Sequence, residues 1–423
     1  MGVAERILVI DVGRGLAIVV MIAANTLWMY GDKNAQVSIP GKIVNWMGQL
    51  TTAFLIGMGV SFTISRDQTF VRAIKRGVYL IAMAYLLNFL KFIVPIQFFH
   101  TMPEAFIEAY GWKSPLNDNQ LLYLLSIGDI LQMAGLVMIF AGLIRKISNN
   151  KYTYLFVAFV VAVSSQILRG FRPNIVGLDY MADLLWGKKF NVYFPVFPWS
   201  SSVLVGIYLG RIYCESDRNL LVLQRHCLLF GATILVPGML LCYYDYDYHF
   251  SDFFHCGLGG IMYLTGINLI FSWMVIKVTP MVNENLKIFA ILRFFSVHVT
   301  SLYVIQWVII CWGMGIVGFY CRSIIEVLAL VPVSISLTVL TQLSLNKASA
   351  GVAKYFGYHS ADSVIINDES LCMIEPHSMI QVSCELELPD VRKEMNEDAE
   401  VSETSCDPGN SSTKSLNSTN MIV

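Results

Sequence analysis

Charge is scarce in this 423-residue chain. Asp, Glu, Lys and Arg make up 14% of it, against roughly 25% in soluble domains. With 56% hydrophobic residues and a mean hydropathy of +0.59, an ordinary soluble domain is excluded. The net charge of −1 leaves no basic footprint for nucleic acid. The nine cysteines form no Cys-x-x-Cys pair and follow no metal-ligand rhythm, so no metal is expected. Cys256 and Cys321 alone fall near one predicted face, the one place a disulfide could form. Histidine is rarer still, seven in all, with none between Asn25 and Phe99. No internal repeat is visible, which weighs against an inverted-repeat transporter.

What is present is a series of long apolar runs. Ten stretches emerge, at about 7–29, 43–64, 76–98, 121–144, 152–168, 192–213, 227–244, 253–276, 296–320 and 323–345. The expected fold is all-α, a polytopic transmembrane helix bundle of about ten spans. Basic residues concentrate in alternate connections: Arg66, Arg72, Lys75 and Arg76; Arg145, Lys146 and Lys151; Arg211, Arg218 and Arg225; Lys277, Lys287 and Arg293. By the positive-inside rule those connections, and both termini, face the cytosol. The opposite face carries the long connections. Residues 99–120 read as an interfacial helix, and 245–255 cluster Asp245, Asp247, His249, Asp252 and His255. The apolar pattern ends near Lys354, dividing the chain into a membrane domain, 1–354, and a disordered cytosolic tail, 355–423. The N-terminal run is too long for a signal-peptide core and reads as a retained first helix.

That first run, Arg6 to Trp28, holds Asp11 and Arg14 in its inner third and Asn25 near its outer end. Ionisable groups at membrane depth are costly, and their default reading is functional. Asp11 and Arg14 are three apart and share a helix face; a structural ion pair is the plainer account of them. Asp129 and Gln132, also three apart, fall at the start of the fourth span.

The wording of these segments resembles a known family. Arg6-x4-Asp11-x2-Arg14-Gly15 followed by an apolar run and Asn25 resembles the first span of the heparan-α-glucosaminide N-acetyltransferase-like membrane acyltransferases, the DUF1624 group of the acyltransferase-3 superfamily. Asp129-Ile-Leu-Gln132, Phe194-Pro195-Val-Phe197-Pro198-Trp199 with Gly206 and Gly210, and Ser301-Leu-Tyr303-Val-Ile-Gln306-Trp307 resemble three further family spans, in family order over about residues 6–345. The resemblance implies a multi-pass membrane enzyme moving an acetyl or other acyl group from cytosolic acyl-CoA, acetyl-CoA foremost, to a sugar amine or hydroxyl on the far side. Its partners would be acyl-CoA, a glycan or other polar acceptor, membrane lipid and, as a further option, a second copy of the chain. Its membrane would be lysosomal or endomembrane in a eukaryote and the inner membrane in a bacterium. Asp11, Arg14, Asp129 and Gln132 are the expected donor-binding residues.

The chain departs from the family where a general base is expected. No His follows Asn25 in the next loop, Gln306 stands where the family's later span has His, and Met133 stands where Arg is frequent. Asn25 as an amide can orient or donate but cannot be the base. Asp32 and His255 are the replacement candidates, with His100, His249 and His298 behind them. The departures also keep open a second function class: an inactive relative serving as a transporter or membrane receptor.

Overall fold

The computed structural model describes residues 8–65, 69–175, 177–189, 191–281 and 286–355. Beyond Tyr355, the tail expected from the sequence lies outside the described residues, as does Arg66.

Among the described residues the chain is helical, and its helices alternate in direction. α1 (Leu8–Tyr30) is followed by short α2 (Lys33–Val37), α3 (Ile39–Gly48) and α4 (Thr51–Ile64). α5 (Phe70–Asn88) runs on as a π-helix, Phe89–Phe98. Short α6 (Glu104–Ala109) and α7 (Asp118–Leu125) lead to α8 (Ile130–Ile147) and α9 (Lys151–Leu168). Then come α10 (Leu178–Trp186), α11 (Val196–Glu215), α12 (Leu220–Tyr244), α13 (Tyr246–His249), α14 (Leu258–Val278), α15 (Lys287–Val297), α16 (Val299–Val317) and α17 (Ile324–Tyr355). Nine helical segments among the described residues are long and apolar enough to cross a membrane. The expected tenth, 192–213, is α11, which is not one of the nine. It carries Ser200, Ser201 and Ser202 and has a non-helical residue at Phe197, yet it is buried along nearly its whole length. It lies inside the bundle, where backbone irregularity and hydroxyls are tolerated because protein, not lipid, surrounds them.

Two ties show that the start of α1 and the end of α17 share one end of the bundle. Ser296, at the end of α15, donates to Asp11 Oδ1 at 2.7 Å, and Asn346 Nδ2 meets His298 Nε2 at 3.4 Å. The basic connections gather there too: Arg76 donates to Ser65, Arg211 to the Asn149 carbonyl, and Lys151 pairs with Glu215. At the other end a Gly31–Arg322 bridge joins the end of α1 to the start of α17. We call these the basic end and the loop end.

The run 43–64 lies within one candidate span, Ile39–Ile64, in which a tight turn at Gln49–Leu50 separates α3 from α4. Within 99–120, Phe106 is only 1% exposed and stacks on Phe92. One expectation is corrected at the loop end. Cys256 and Cys321 are both free thiols.

Glycine sets the closest approach in the core. A methyl group placed on Gly206 of α11 would collide with the backbone of Ile56 in α4, and one on Gly59 of α4 would collide with the Val203 carbonyl. Small residues let two helix backbones meet in this way, giving packing that lipid cannot replace. Gly206→Val is expected to cost about 1–3 kcal/mol through overpacking, read as a fall in the melting temperature of detergent-purified protein. The exposed-side change Leu229→Val, at 67% exposure, is expected to leave it unmoved.

Candidate active site

A cavity opens within the loop-end half of the bundle. Among the described residues, ten of the 21 that line it are aromatic, and Lys91 and Asp129 are the charged ones. α1 contributes Met21, Ala24, Asn25, Trp28 and Met29; the α3–α4 turn contributes Gly48 and Thr51; α16 contributes Tyr303, Trp307 and Cys311.

The polar centre is built from three elements. Asp129 is the N-cap of α8, where its Oδ1 accepts the Ile130 N–H at 2.7 Å. A helix N-terminus favours a carboxylate in this position. Gln132 completes a capping box, its Oε1 accepting the Asp129 N–H at 2.9 Å and its Nε2 donating to the Ile127 carbonyl at 3.0 Å. Asp129 Oδ2 then accepts from Tyr303 Oη at 2.9 Å and from Lys91 Nζ at 3.4 Å. Lys91 is 3% exposed, and its ammonium lies 4.8 Å from the ring centres of both Phe92 and Trp307. Lys91 is carried on the π-helical continuation of α5, near its internal Pro95; π-helical stretches recur at functional sites. Asn88, one turn earlier, donates to the Leu125 and Ile127 carbonyls and so docks α5 against the approach to Asp129.

The outer wall is held by backbone ties. Gly128 and Val192 form a bridge. Trp199 Nε1 donates to the Phe254 carbonyl at 2.8 Å, which fixes Phe254 at the cavity. Arg172 and Asn191 both donate to Asp183, anchoring the strand-like segment before Tyr193.

The residues expected from the sequence divide into three groups. Asn25 and Asp129 line the cavity; Asn25 is 5% exposed, and its amide makes no hydrogen bond to the described residues. Gln132 is buried beside the cavity, where it holds Asp129. Asp11 and Arg14 lie toward the basic end; Asp11 takes the Ser296 hydroxyl, and the Arg14 side chain passes the open face of Gly57 in α4. The two replacement bases do not line this cavity. Asp32 caps α2, accepting the Ala35 N–H at 2.6 Å. His255 is 4% exposed, with Nδ1 on Asp252 Oδ2 at 2.7 Å and Nε2 on the Val192 carbonyl at 2.9 Å. Both its ring nitrogens face acceptors, so neither stands open to a substrate proton. It lines instead a separate polar recess with Arg169, Lys188 and Asp247. Lys91 was not singled out from the sequence. The signal was a lone cation inside an apolar run, followed four residues later by proline.

The 245–255 segment is a set of anchors. Asp245 caps α13. His255 holds the Asp252 carboxyl below the usual range against the opposing effect of burial. Burial pushes the His249 ring below its ordinary value, outweighing nearby Asp245, and its Nδ1 accepts the Gly259 N–H at 3.2 Å, which only an unprotonated nitrogen can do.

Residues 6–246, more than half of the chain, match the family profile described as "Heparan-alpha-glucosaminide N-acetyltransferase, catalytic". No curated protein matches the chain.

Two outcomes follow from this geometry. Removing one member of a buried ion pair costs about 3–5 kcal/mol, because the other charge is stranded. Lys91→Met is therefore expected to lower the melting temperature sharply, and Lys91→Met with Asp129→Asn to recover part of the loss. For His249, a folded value below the unfolded one means its contribution is complete above the ordinary histidine value. That contribution is lost as pH falls from there through the lowered value. Hydrogen exchange at the Gly259 amide, corrected for its intrinsic pH dependence, is expected to speed up between pH 7.5 and 5, and His249→Gln to remove that pH dependence.

Nine apolar helices among the described residues mark an integral membrane protein with an acetyltransferase-like function in general, and by its matched sequence the chain belongs to the heparan-alpha-glucosaminide N-acetyltransferase catalytic family.

Proposed function

We propose that this protein transfers an acyl group, acetyl foremost, from acyl-CoA approaching at the basic end to a hydroxyl or amine approaching at the loop end, the acceptor being a sugar or another molecule bearing such a group. The observation that carries this reading is the Asn25 amide, which lines the cavity and makes no hydrogen bond to the described residues. Its N–H groups are therefore open to a bound carbonyl oxygen.

Arg14 precedes Asn25 by eleven residues on α1, about 16 Å of helix. The basic connections share the end toward which Arg14 lies, so phosphate groups meet cations there while the reacting carbonyl meets Asn25 and Lys91. In the transfer, the acceptor oxygen or nitrogen bonds to the thioester carbonyl carbon, the carbon–sulfur bond breaks, and the proton lost by the acceptor ends on the departing sulfur. Asn25 and the Lys91 ammonium supply donors to the carbonyl oxygen as it gains charge. Asp129 aims Lys91 Nζ, and Tyr303 holds Asp129.

One observation favours the competing reading, an inactive relative acting as a transporter or receptor: no histidine is among the described residues that line the cavity. Calorimetry separates the two. Acetyl-CoA is expected to bind detergent-purified protein at micromolar concentration, with Arg14→Ala weakening binding at least tenfold while the melting temperature is kept. Asn25→Ala is expected to spare binding and abolish transfer. A folded wild type that binds no acetyl-CoA would sink the acyltransferase reading.

A further inference from the structure

The hydrogen-bonding atoms of the cavity wall divide into those that are spent and those that stand open. Asp129 receives three donors, from Lys91, Tyr303 and the Ile130 backbone. The Thr51 hydroxyl donates to the Gly48 carbonyl at 2.7 Å, and the Trp28 indole N–H donates to Asn45 Oδ1 at 2.7 Å. The transfer reading gives Asn25 and Lys91 to the acyl carbonyl oxygen. Two further atoms stand open on wall residues, Tyr110 Oη and Trp307 Nε1, both buried and both without a hydrogen-bond partner among the described residues. Hydroxyls lie close to each, Tyr193 beside Tyr110 and Tyr303 beside Trp307, but without hydrogen-bond geometry. A buried polar atom left without a partner is costly, so two of them on one cavity wall point to a ligand that supplies the partners.

Both side chains are held in place. Tyr110 caps the end of α6. Its ring stacks on Trp112, with centroids 5.0 Å apart, and meets Phe106 and Tyr123 edge-on. Trp307 lies on α16 one turn from Tyr303 and one turn from Cys311, which line the cavity with it. Its ring carries the Lys91 ammonium, 4.8 Å from the ring centre, so its N–H stands near the group that meets the acyl carbonyl.

The two atoms differ in what they require. An indole N–H only donates and calls for an oxygen, whereas a phenol both donates and accepts and can take the proton of an O–H or N–H. A molecule that satisfies both carries at least two polar groups. The surrounding rings add a second requirement. Aromatic faces are negative, and the C–H groups on the face of a sugar ring are weakly positive. Such a ring lies flat on an aromatic face while the hydroxyls on its edge reach Tyr110 and Trp307.

We infer that Tyr110 and Trp307 hold the acceptor: Trp307 Nε1 donates to one oxygen of a polyhydroxylated ring, Tyr110 Oη binds a second hydroxyl, and the pair sets which hydroxyl or amine of that ring faces the acyl carbon. The inference rests on the acyltransfer reading and adds the residues that recognise the acceptor. It also gives the segment 99–120, through Tyr110, a part in choosing that acceptor.

The test uses the full chain in lipid nanodiscs, with empty nanodiscs as the blank. Acetyl-CoA is titrated first by calorimetry. Glucosamine, glucose and cyclohexylamine, a ring amine without hydroxyls, are then titrated onto protein saturated with CoA, which has no acyl group to transfer. The variants are Tyr110→Phe and Trp307→Phe. Each keeps a ring, and should one fail to fold by its melting curve, the other carries the comparison. The expected result is that glucosamine or glucose binds the wild type and that each folded variant weakens this binding about fivefold or more. Binding of acetyl-CoA and of cyclohexylamine is expected to change less than about twofold, because neither uses these two atoms; a merely structural role would weaken all the ligands together. Three results would overturn the inference. One is sugar binding that the folded variants leave unchanged. The second is an equal loss of sugar and acetyl-CoA binding. The third is a wild type that binds acetyl-CoA and neither sugar. A folded wild type that binds no acetyl-CoA is a separate result that sinks the underlying transfer reading.

Discussion

A lysine and an aspartate buried together set the terms for the loop-end half of this bundle. Taking two charges out of water costs several kcal/mol per ion before any attraction returns it. The fold meets that cost with a specific set of partners. Asp129 is placed at a helix N-terminus and takes two neutral donors besides Lys91, and Lys91 lies against two aromatic rings. Three helices must converge for this to hold: the π-helical end of α5, the start of α8 and the middle of α16. Their convergence leaves the cavity between them, so one arrangement both satisfies the charges and shapes the chamber.

The walls follow from the same constraint. Irregular backbone at membrane depth is tolerated only inside protein, and the cavity is where this chain is irregular. The π-helix around Lys91, the tight turn at Gln49–Leu50, the Gly128–Val192 bridge and the non-helical Phe197 all lie at or near it. Each frees or redirects backbone groups that side chains and neighbouring carbonyls then satisfy, Asn88 on Ile127 being one case. The long helices α12 and α17 expose far more of their length, and none of their described residues lines the cavity.

Much of this was legible in the sequence because hydropathy and charge act locally. The spans, the alternation of basic connections, Asn25 and Asp129 could all be found one residue at a time. The tight turn at Gln49–Leu50 could not, since Gly48-Gln49-Leu50 offers no proline and the turn meets a distant partner, Asn268, which donates to the Gln49 carbonyl at 3.1 Å. Lys91 was hidden for the opposite reason. One cation in a long apolar run changes the mean little, and its partner is 38 residues away. Asp32 and His255 were plausible bases by residue type and loop position, yet capping and ring geometry commit them elsewhere.

That no histidine is among the described residues lining the cavity is then less damaging to the proposed chemistry than it first looks. A general base helps when proton removal from the nucleophile limits the rate. The chamber concentrates a different resource, fixed positive charge and an amide donor in a water-poor, aromatic setting, where electrostatic stabilisation of a developing oxyanion is strongest. Asp129 is unsuited to replace the histidine, because three donors hold its carboxylate and a proton placed there would break the pair with Lys91. The thioester supplies its own proton acceptor in the departing sulfur. A site built this way suits reaction at an activated donor with an acceptor held tightly by shape, and it places the burden of selectivity on the aromatic wall rather than on a catalytic base.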